Sequence, residues 1–172
     1  RGYRSAMHRA SLSESAAAGM LSLARWPEML DYWRQDPSQT PPPVLIDPMC
    51  GSGTFLIEGA LMAANVAPGL IRDETIGFAF ERWPDHNPQK YDECLEDARR
   101  IGAETRASAS TPPVIVGNDI HPGAVTLAGQ GAETARVAGM IDVFRNNCEM
   151  FKLESSTAGS KIDPDAPKLV VT

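Results

Sequence analysis

Long apolar runs are absent from this 172-residue sequence. No stretch approaches the roughly 18 apolar residues that a membrane-spanning helix needs. The longest one, Phe55 to Val66, contains Glu58 and Asn65, and it predicts a buried helix. A secretory leader is also lacking, and the chain begins with Arg-Gly-Tyr-Arg instead of methionine. We therefore expect an internal piece of a longer protein, with no membrane contact.

Cysteine and histidine are scarce, with three residues of each. Cys50, Cys94 and Cys148 lie far apart and form no Cys-x-x-Cys pair, and no histidine stands at a metal-ligand spacing. The sequence therefore predicts no metal site. Unpaired thiols agree with a reducing compartment, so we expect a cytoplasmic protein.

Basic residues are outnumbered, since 16 Lys and Arg against 22 Asp and Glu give a net charge of -6. Affinity for nucleic acid comes largely from basic groups that neutralise phosphates, so the chain alone should bind RNA weakly. Arg1, Tyr3 and Arg4 are candidates for guiding RNA beside an upstream domain. A solvated, charged tail is the alternative interpretation of these residues.

Short apolar runs alternate with helical segments along the chain. Strands are predicted at residues 44–47, 113–119 and 141–144, with a fourth strand that starts at 168–171. Helices are predicted from an N-cap at Ser11 to about Ala24, and at 55–65, 89–109 and 122–138. The alternation predicts an α/β fold, a parallel sheet with helices on both faces. A ligand in such a sheet binds beyond the carboxyl ends of the strands.

The segment from Val44 to Thr54 predicts a strand, an acid, a glycine turn and a helix, in that order. Glycines allow close approach of the backbone to a ligand, and a helix N-terminus presents free N–H groups. No lysine follows Gly53, which argues against a triphosphate loop, and Leu56 stands where a dinucleotide fingerprint has its third glycine. The carboxylate of Asp47 disfavours a phosphate and suits the cationic end of S-adenosylmethionine.

Residues 47–60, Asp-Pro-Met-Cys-Gly-Ser-Gly-Thr-Phe-Leu-Ile-Glu-Gly-Ala, resemble the first motif of methyltransferases that act on guanine N2 in RNA. The resemblance covers nearly the whole chain, through residues 1–4, 11–18, 67–72, 78–83 and 117–122. This family includes bacterial large-subunit rRNA enzymes and related tRNA enzymes, whose catalytic domain follows an RNA-binding THUMP domain. It implies a Rossmann-like class I methyltransferase fold, truncated after the fourth strand. Residues 1–43 would be an N-terminal helical lead-in, and residues 44–172 the incomplete cofactor-binding part.

The resemblance also implies the cofactor, S-adenosylmethionine, and the residues that bind it. Asp47 would lie near its ammonium group, Asp119 would accept hydrogen bonds from its ribose hydroxyls, and Ile120 would pack on its adenine. Cys148 stands where relatives commonly have an aspartate facing the adenine amine; since a thiol is a weaker acceptor, Asn147 or a backbone group is the alternative. The full expected set is Asp47, Cys50, Gly51, Ser52, Gly53, Thr54, Asp119, Ile120, Asn147 and Cys148.

The implied reaction is methyl transfer to the N2 amine of a guanine in RNA, with 23S rRNA as the first candidate. The alternatives are a guanine in tRNA, adenine N6 in DNA, and a non-catalytic module that binds only a cofactor or a partner. The catalytic motif of the family, Asn-Pro-Pro-aromatic, is expected just after Thr172, so no catalytic residue is assigned within this chain. RNA would be held mainly by an upstream domain.

Other chemically capable side chains have plainer interpretations. Cys50 has no histidine partner that would make it a nucleophile, and Asp119 could instead cap the helix that starts at Pro122. Glu58 is interpreted as a buried or capping carboxylate and not as a base. Surface positions are expected for His86 and His121, and core or domain-packing positions for Trp26, Trp33 and Trp83.

Overall fold

The structure is a computed structural model that describes residues 2–3, 12–108, 111–153 and 162–172. Its helices are α1 (Glu14–Leu23), α2 (Trp26–Gln35), α3 (Thr54–Ala63), α4 (Leu70–Thr75), α5 (Pro88–Ser108) and α6 (Pro122–Thr134). Its strands are β1 (Val44–Asp47), β2 (Val114–Asp119), β3 (Ile141–Arg145) and β4 (Lys168–Val170). Short 3-10 helices occur at Ala79–Arg82, Ala138–Met140 and Cys148–Met150. Among the described residues, no helix combines the length and the apolar character that crossing a membrane requires.

The four strands form one parallel sheet in the order β3-β2-β1-β4, which confirms the predicted α/β class. Asp47 pairs in register with Gly117, and Asp119 pairs with Arg145. The carboxyl ends of β1, β2 and β3 therefore lie side by side. This register brings the strand-end acids to one edge of the sheet, where a ligand would bind.

Helix α3 is the centre of the main core and lies on the β1–β2 face of the sheet. A Cβ at Gly59 of α3 would overlap the side chain of Leu45. A Cβ at Gly117 of β2 would likewise overlap the side chain of Leu56. The two glycines thus allow helix and sheet to approach closely. Helix α6 packs beside α3 and contacts β2 and β3. On the opposite face, Val44 and Ile46 pack against partly buried side chains of Phe151, Leu153 and Ile162.

The N-terminal helices pack against α3. The predicted N-cap, Ser11, lies outside the described residues; α1 begins at Glu14 and its N-cap is Ser13, whose Oγ accepts a hydrogen bond from the Ala16 N–H at 3.2 Å. The N-cap prediction was therefore two residues early. The position of α2 against α3 is secured by a hydrogen bond from Trp26 Nε1 to the backbone oxygen of Gly59, at 3.1 Å.

Tyr3 is buried, and its hydroxyl donates a hydrogen bond to Glu58 Oε1 at 3.1 Å. The idea that Tyr3 guides RNA is therefore wrong, while the interpretation of Glu58 as a buried carboxylate is confirmed. Arg1 and Arg4 lie outside the described residues. Trp26 and Trp33 are core residues as expected.

Trp83 departs from the expectation of a core or domain-packing residue, because it is 62% exposed. It lies at the end of a surface cluster of rings in which Phe78 and Phe80 stack with their centroids 5.3 Å apart. Phe80 and Trp83 meet edge to face at 6.5 Å. The aromatic segment packs on itself and on Tyr91 of α5, so it needs no place in the main core.

Helix α6 is four residues shorter than predicted. It ends at Thr134, because Arg136 adopts a left-handed conformation with φ 58° and directs the Val137 N–H back to the Ala132 oxygen at 2.9 Å. The sequence suggested Gly139 as the stop, since glycine is the usual left-handed residue after a helix. Here an arginine takes that conformation instead.

Candidate cofactor-binding site

A cleft of about 1070 Å³ opens at the carboxyl ends of the strands. Six of the expected site residues line it: Asp47, Cys50, Gly51, Ser52, Thr54 and Asp119. Thr172, which follows β4, also lines the cleft, as do the first residues of α6. The strand-end acids and the glycine turn therefore share one cavity.

The turn between β1 and α3 contains two glycines in the left-handed region, Gly51 with φ 54° and Gly53 with φ 74°. A Cβ at Gly51 would meet no atom within 4 Å, so this position opens onto the cleft. A Cβ at Gly53 would lie 2.8 Å from the Cβ of Ala128 in α6. Gly53 thus permits helix packing and is not among the residues that line the cleft, whereas Gly51 is open to a ligand.

Asp119 links the end of β2 to this turn. Its Oδ2 accepts a hydrogen bond from the Gly51 N–H at 2.9 Å, and its Oδ1 accepts one from the His121 N–H at 2.8 Å. The N-cap position of α6 is occupied by His121, so the alternative role of Asp119 as the N-cap residue is wrong. Each carboxylate oxygen has a second lone pair that can accept from a ligand hydroxyl.

Asp47 is buried at the floor of the cleft, where its Oδ1 accepts a hydrogen bond from the Met49 N–H at 3.2 Å. Burial raises the pKa of Asp47 from 3.8 to about 6; the Met49 hydrogen bond opposes this shift, and the charge of Asp119 adds to it. A carboxylate held in such surroundings favours a positively charged partner. The cationic end of a ligand would meet this requirement.

Cys50 is buried under the same turn, and its N–H donates to the Asn118 oxygen at 2.8 Å. Burial raises the pKa of its thiol to about 12, and the charges of Asp47 and Asp119 add to the shift. A thiol that stays protonated is a poor nucleophile. The structure thus agrees with the interpretation that Cys50 does not act by nucleophilic attack.

The remaining expected residues are not among those that line the cleft. Ile120 follows Asp119 and is 54% exposed. Asn147 accepts a hydrogen bond from the Glu149 N–H at 3.1 Å and so caps the 3-10 helix that begins at Cys148. The segment that contains Asn147 and Cys148 is joined to β2 by a hydrogen bond from the Asn146 N–H to the backbone oxygen of Asp119, at 3.2 Å. A role in cofactor binding stays a prediction for Ile120, Asn147 and Cys148.

Several residues at or beside the cleft were not predicted from the sequence. His121 is exposed, as expected, but its place in the wall of the cleft was not predicted. Its position two residues after a strand-end acid was the signal that could have identified it. Leu12 and Met20 form part of the wall because α1 packs on α3, a contact that no local pattern reveals. Asn118, which was not predicted either, does not line the cleft but is buried beside it, between the turn after β1 and the segment after β3.

Among the residues that the structure describes, no group of three or more His, Cys, Asp or Glu side chains is placed to hold a metal ion. The polar side chains that line the cleft include the carboxylates of Asp47 and Asp119 and the hydroxyls of Ser52 and Thr54. These groups suit a ligand that carries a cationic end and hydroxyls, and they fit S-adenosylmethionine in both respects.

Comparison with protein families gives one match over most of the chain. Residues 1–162 match the family described as RMKL-like, methyltransferase domain. The chain is also similar to the ribosomal RNA large subunit methyltransferase K/L of Shewanella frigidimarina, with 39% identity over 144 residues, which is 83% of this chain. The corresponding protein of Allochromatium vinosum is 38% identical over 141 residues. The chain spans only 18% and 17% of the length of these two relatives.

The chain is also similar in structure to proteins whose structures have been solved. One is a Listeria monocytogenes protein named as a predicted N6-adenine-specific DNA methylase. The match covers 98% of this chain and 36% of the Listeria chain, with a TM-score of 0.70 and 26% sequence identity. SMU.472, a proposed methyltransferase solved in complex with SAH, matches 88% of this chain and 33% of its own, with a TM-score of 0.58 and 28% identity. The chain therefore belongs to the family of RMKL-like methyltransferase domains and has a class I methyltransferase fold.

Proposed function

We propose that this chain is the cofactor-binding part of an S-adenosylmethionine-dependent methyltransferase that modifies ribosomal RNA. The observation that carries the proposal is the cleft in which Asp47, Asp119 and the open Gly51 turn meet. Two comparisons support it: the similar chain of SMU.472 was solved with SAH, and the curated relatives are named as large-subunit rRNA methyltransferases.

Each part of the cofactor has a proposed partner in the cleft or in the segments that follow β2 and β3. The buried carboxylate of Asp47 would face the ammonium group, and Asp119 would accept hydrogen bonds from the ribose hydroxyls. The methionine part would lie along Cys50, Gly51, Ser52 and Thr54, with Gly53 allowing α3 and α6 to pack behind it. Ile120 would cover the adenine, and Asn147 or Cys148 would face its amine.

The cofactor, when bound, would supply a methyl group attached to a sulfonium centre. The residues of this chain would hold and orient it, so that the contribution of this part is proximity and alignment. Asp47 is suited to this role because it stays ionised at neutral pH despite its burial. The cleft, at about 1070 Å³, is large enough for a ligand of the size of this cofactor.

The proposed acceptor is the N2 amine of a guanine, an assignment that rests on the motif resemblance of residues 47–60. We propose that the chain after Thr172 continues with Asn-Pro-Pro and an aromatic residue, which would hold the amine. The position of Thr172 in the wall of the cleft supports this continuation. Residues 1–43 would be the lead-in to the cofactor-binding part, and a domain upstream would hold the RNA in a cytoplasmic enzyme.

Methylation of adenine N6 in DNA is a second candidate. The observation in its favour is the Listeria monocytogenes structure, whose name gives that activity and whose TM-score is 0.70. Guanine N2 and adenine N6 are both exocyclic amines, so the same cofactor cleft could serve either base.

The product nucleoside separates the two candidates. The full-length protein would be incubated with isotopically labelled S-adenosylmethionine and with unmodified rRNA or DNA, and the nucleosides would then be identified by mass after nuclease digestion. We expect label in N2-methylguanosine from rRNA. Label in N6-methyladenine from DNA would establish the second candidate, and label in neither nucleic acid would contradict both.

A further inference from the structure

Asn118 occupies the next-to-last position of β2 and is 1% exposed. Its side-chain Nδ2 donates two hydrogen bonds, one to the backbone oxygen of Pro48 at 3.0 Å and one to that of Asn146 at 3.1 Å. Its backbone oxygen accepts from the Cys50 N–H at 2.8 Å. A single buried residue therefore holds the turn after β1 and also the segment after β3.

The place of Asn118 in the sheet explains this double contact. Strand β2 lies between β1 and β3, so a side chain at its carboxyl end has a neighbouring loop on each side. Pro48 directly follows Asp47, and Asn146 directly precedes Asn147. The two loops thus carry the groups assigned to the methionine end and to the adenine end of the cofactor.

We propose that Asn118 is a positioning residue that fixes the separation of the loop after β1, assigned to the methionine end of the cofactor, and the loop after β3, assigned to its adenine end, so that cofactor affinity depends on its two-donor amide. The inference rests on the proposed cofactor-binding function. Asn118 is not among the residues that line the cleft. It acts through the two loops that it joins, and not by touching the cofactor.

The chemistry of the position favours asparagine over similar side chains. Two carbonyl oxygens need two donors, and an amide nitrogen supplies both from one atom. The Oδ1 atom of Asn118 is buried and has no hydrogen-bond partner among the described residues, so the polar bonding of the side chain runs through Nδ2. An aspartate of nearly equal size would instead place an anion against carbonyl oxygens, beside Asp119 and one strand away from Asp47.

The first test compares dissociation constants for S-adenosylmethionine, measured by calorimetry on the full-length protein. The variants are Asn118→Asp, Asn118→Ser and, as a control for lost stability, Leu30→Ala. Leu30 is a core residue of α2 that does not line the cleft. At a temperature where circular dichroism shows every variant folded, we expect each Asn118 variant to bind at least about tenfold more weakly. Leu30→Ala should bind as the wild type does.

The second readout is how the loss of affinity for S-adenosylmethionine in the Asn118 variants depends on pH. In Asn118→Asp the new carboxyl can donate a hydrogen bond only when protonated, and its burial together with the nearby carboxylates of Asp47 and Asp119 makes its ionisation harder, while the protonated Cys50 thiol adds no charge. The affinity of Asn118→Asp for S-adenosylmethionine should therefore come closer to that of the wild type as the pH falls from about 8 to about 5.5. The deficit of Asn118→Ser, which has one hydroxyl donor at every pH, should stay constant.

Three results would overturn the inference: affinity like the wild type in both Asn118 variants, an equal loss in Leu30→Ala, or a deficit of Asn118→Asp that does not change with pH. A wild-type protein that fails to bind S-adenosylmethionine would instead overturn the proposed function, and the role of Asn118 with it.

Discussion

At the scale of single residues, Asp47 is subject to two opposing requirements. It is 2% exposed, and burial raises its pKa from 3.8 to about 6. A pKa that is higher in the folded chain means that Asp47 favours folding below about pH 3.8, and that this contribution is lost as the pH rises through about 6. At neutral pH the ionised side chain therefore destabilises the protein, while the same charge is the proposed partner of the cofactor ammonium.

We predict that Asp47→Asn changes stability and binding in opposite directions. Asparagine keeps an acceptor for the Met49 N–H but carries no charge, so the free energy of unfolding at pH 7 should rise by up to about 3 kcal/mol. Affinity for S-adenosylmethionine should fall. Urea unfolding and calorimetry on the same preparation measure the two effects, and the gain in stability should shrink as the pH is lowered toward about 4. A variant that loses both stability and affinity would contradict this account of Asp47.

The wild-type protein should show the matching pH dependence of binding. Because Asp47 must be ionised to attract the ammonium group, affinity for the cofactor should increase as the pH rises through about 6 and level off above it. In Asp47→Asn this step should be absent.

Asp119 should contribute to affinity by a different route, through hydrogen bonds to the ribose. We predict that Asp119→Ala weakens binding of S-adenosylmethionine by about 1.5–3 kcal/mol, the range for hydrogen bonds to a charged group. Asp85→Ala, at an exposed position away from the cleft, is the control. Unchanged affinity in a folded Asp119→Ala protein, measured by calorimetry, would remove Asp119 from the site.

At the scale of elements, the close contact between α3 and the sheet can be tested with two glycines that lie within helices. A Cβ at Gly59 in α3 would overlap the Leu45 side chain, whereas a Cβ at Gly19 in α1 would meet nothing within 4 Å. Gly59→Ala should lower the free energy of unfolding by about 1–3 kcal/mol through overpacking. Gly19→Ala should raise it by about 0.5–1 kcal/mol, because alanine is the better helix former.

Urea unfolding of both glycine variants provides the measurement. Equal changes in the free energy of unfolding for the two substitutions would contradict the close packing of Gly59 against Leu45.

The elements that sequence patterns predicted well are those with a strong local signal. Strand β1 was predicted at residues 44–47, as observed, because a short apolar run ends in an acid and a glycine turn. Helix α5 was predicted within one residue at each end, because a long polar segment lies between proline-bearing loops. In contrast, α2 was not predicted, although Pro27 lies in its first turn, where proline is favoured.

The residues at the candidate site also fall into two groups, those with a strong local sequence signal and those without one. The acids and the turn of the cleft follow directly from their places at strand ends. Leu12, Met20 and Asn118 could not be found in this way, because each reaches its partners through tertiary packing that leaves no mark in the local sequence. Arg136 is a similar case, because its left-handed conformation ends α6 where a glycine farther along was the expected stop.

At the scale of the whole molecule, the net charge of -6 disfavours binding of this chain to RNA. Since nucleic-acid affinity comes largely from basic side chains, we predict that residues 1–172 alone bind rRNA weakly, with a dissociation constant above about 1 μM at physiological salt. A fluorescence titration checks this, with the full-length protein as the comparison. Submicromolar affinity of the chain alone would mean that its arginines bind RNA without an upstream domain.

If the proposed function is correct, the cleft at the strand ends binds S-adenosylmethionine. The most direct measurement is a calorimetric titration of the full-length protein with S-adenosylmethionine and, separately, with NAD. We expect saturable binding of S-adenosylmethionine that Asp47→Asn and Asp119→Ala both weaken, and no binding of NAD. Binding of NAD without binding of S-adenosylmethionine would contradict the proposed function.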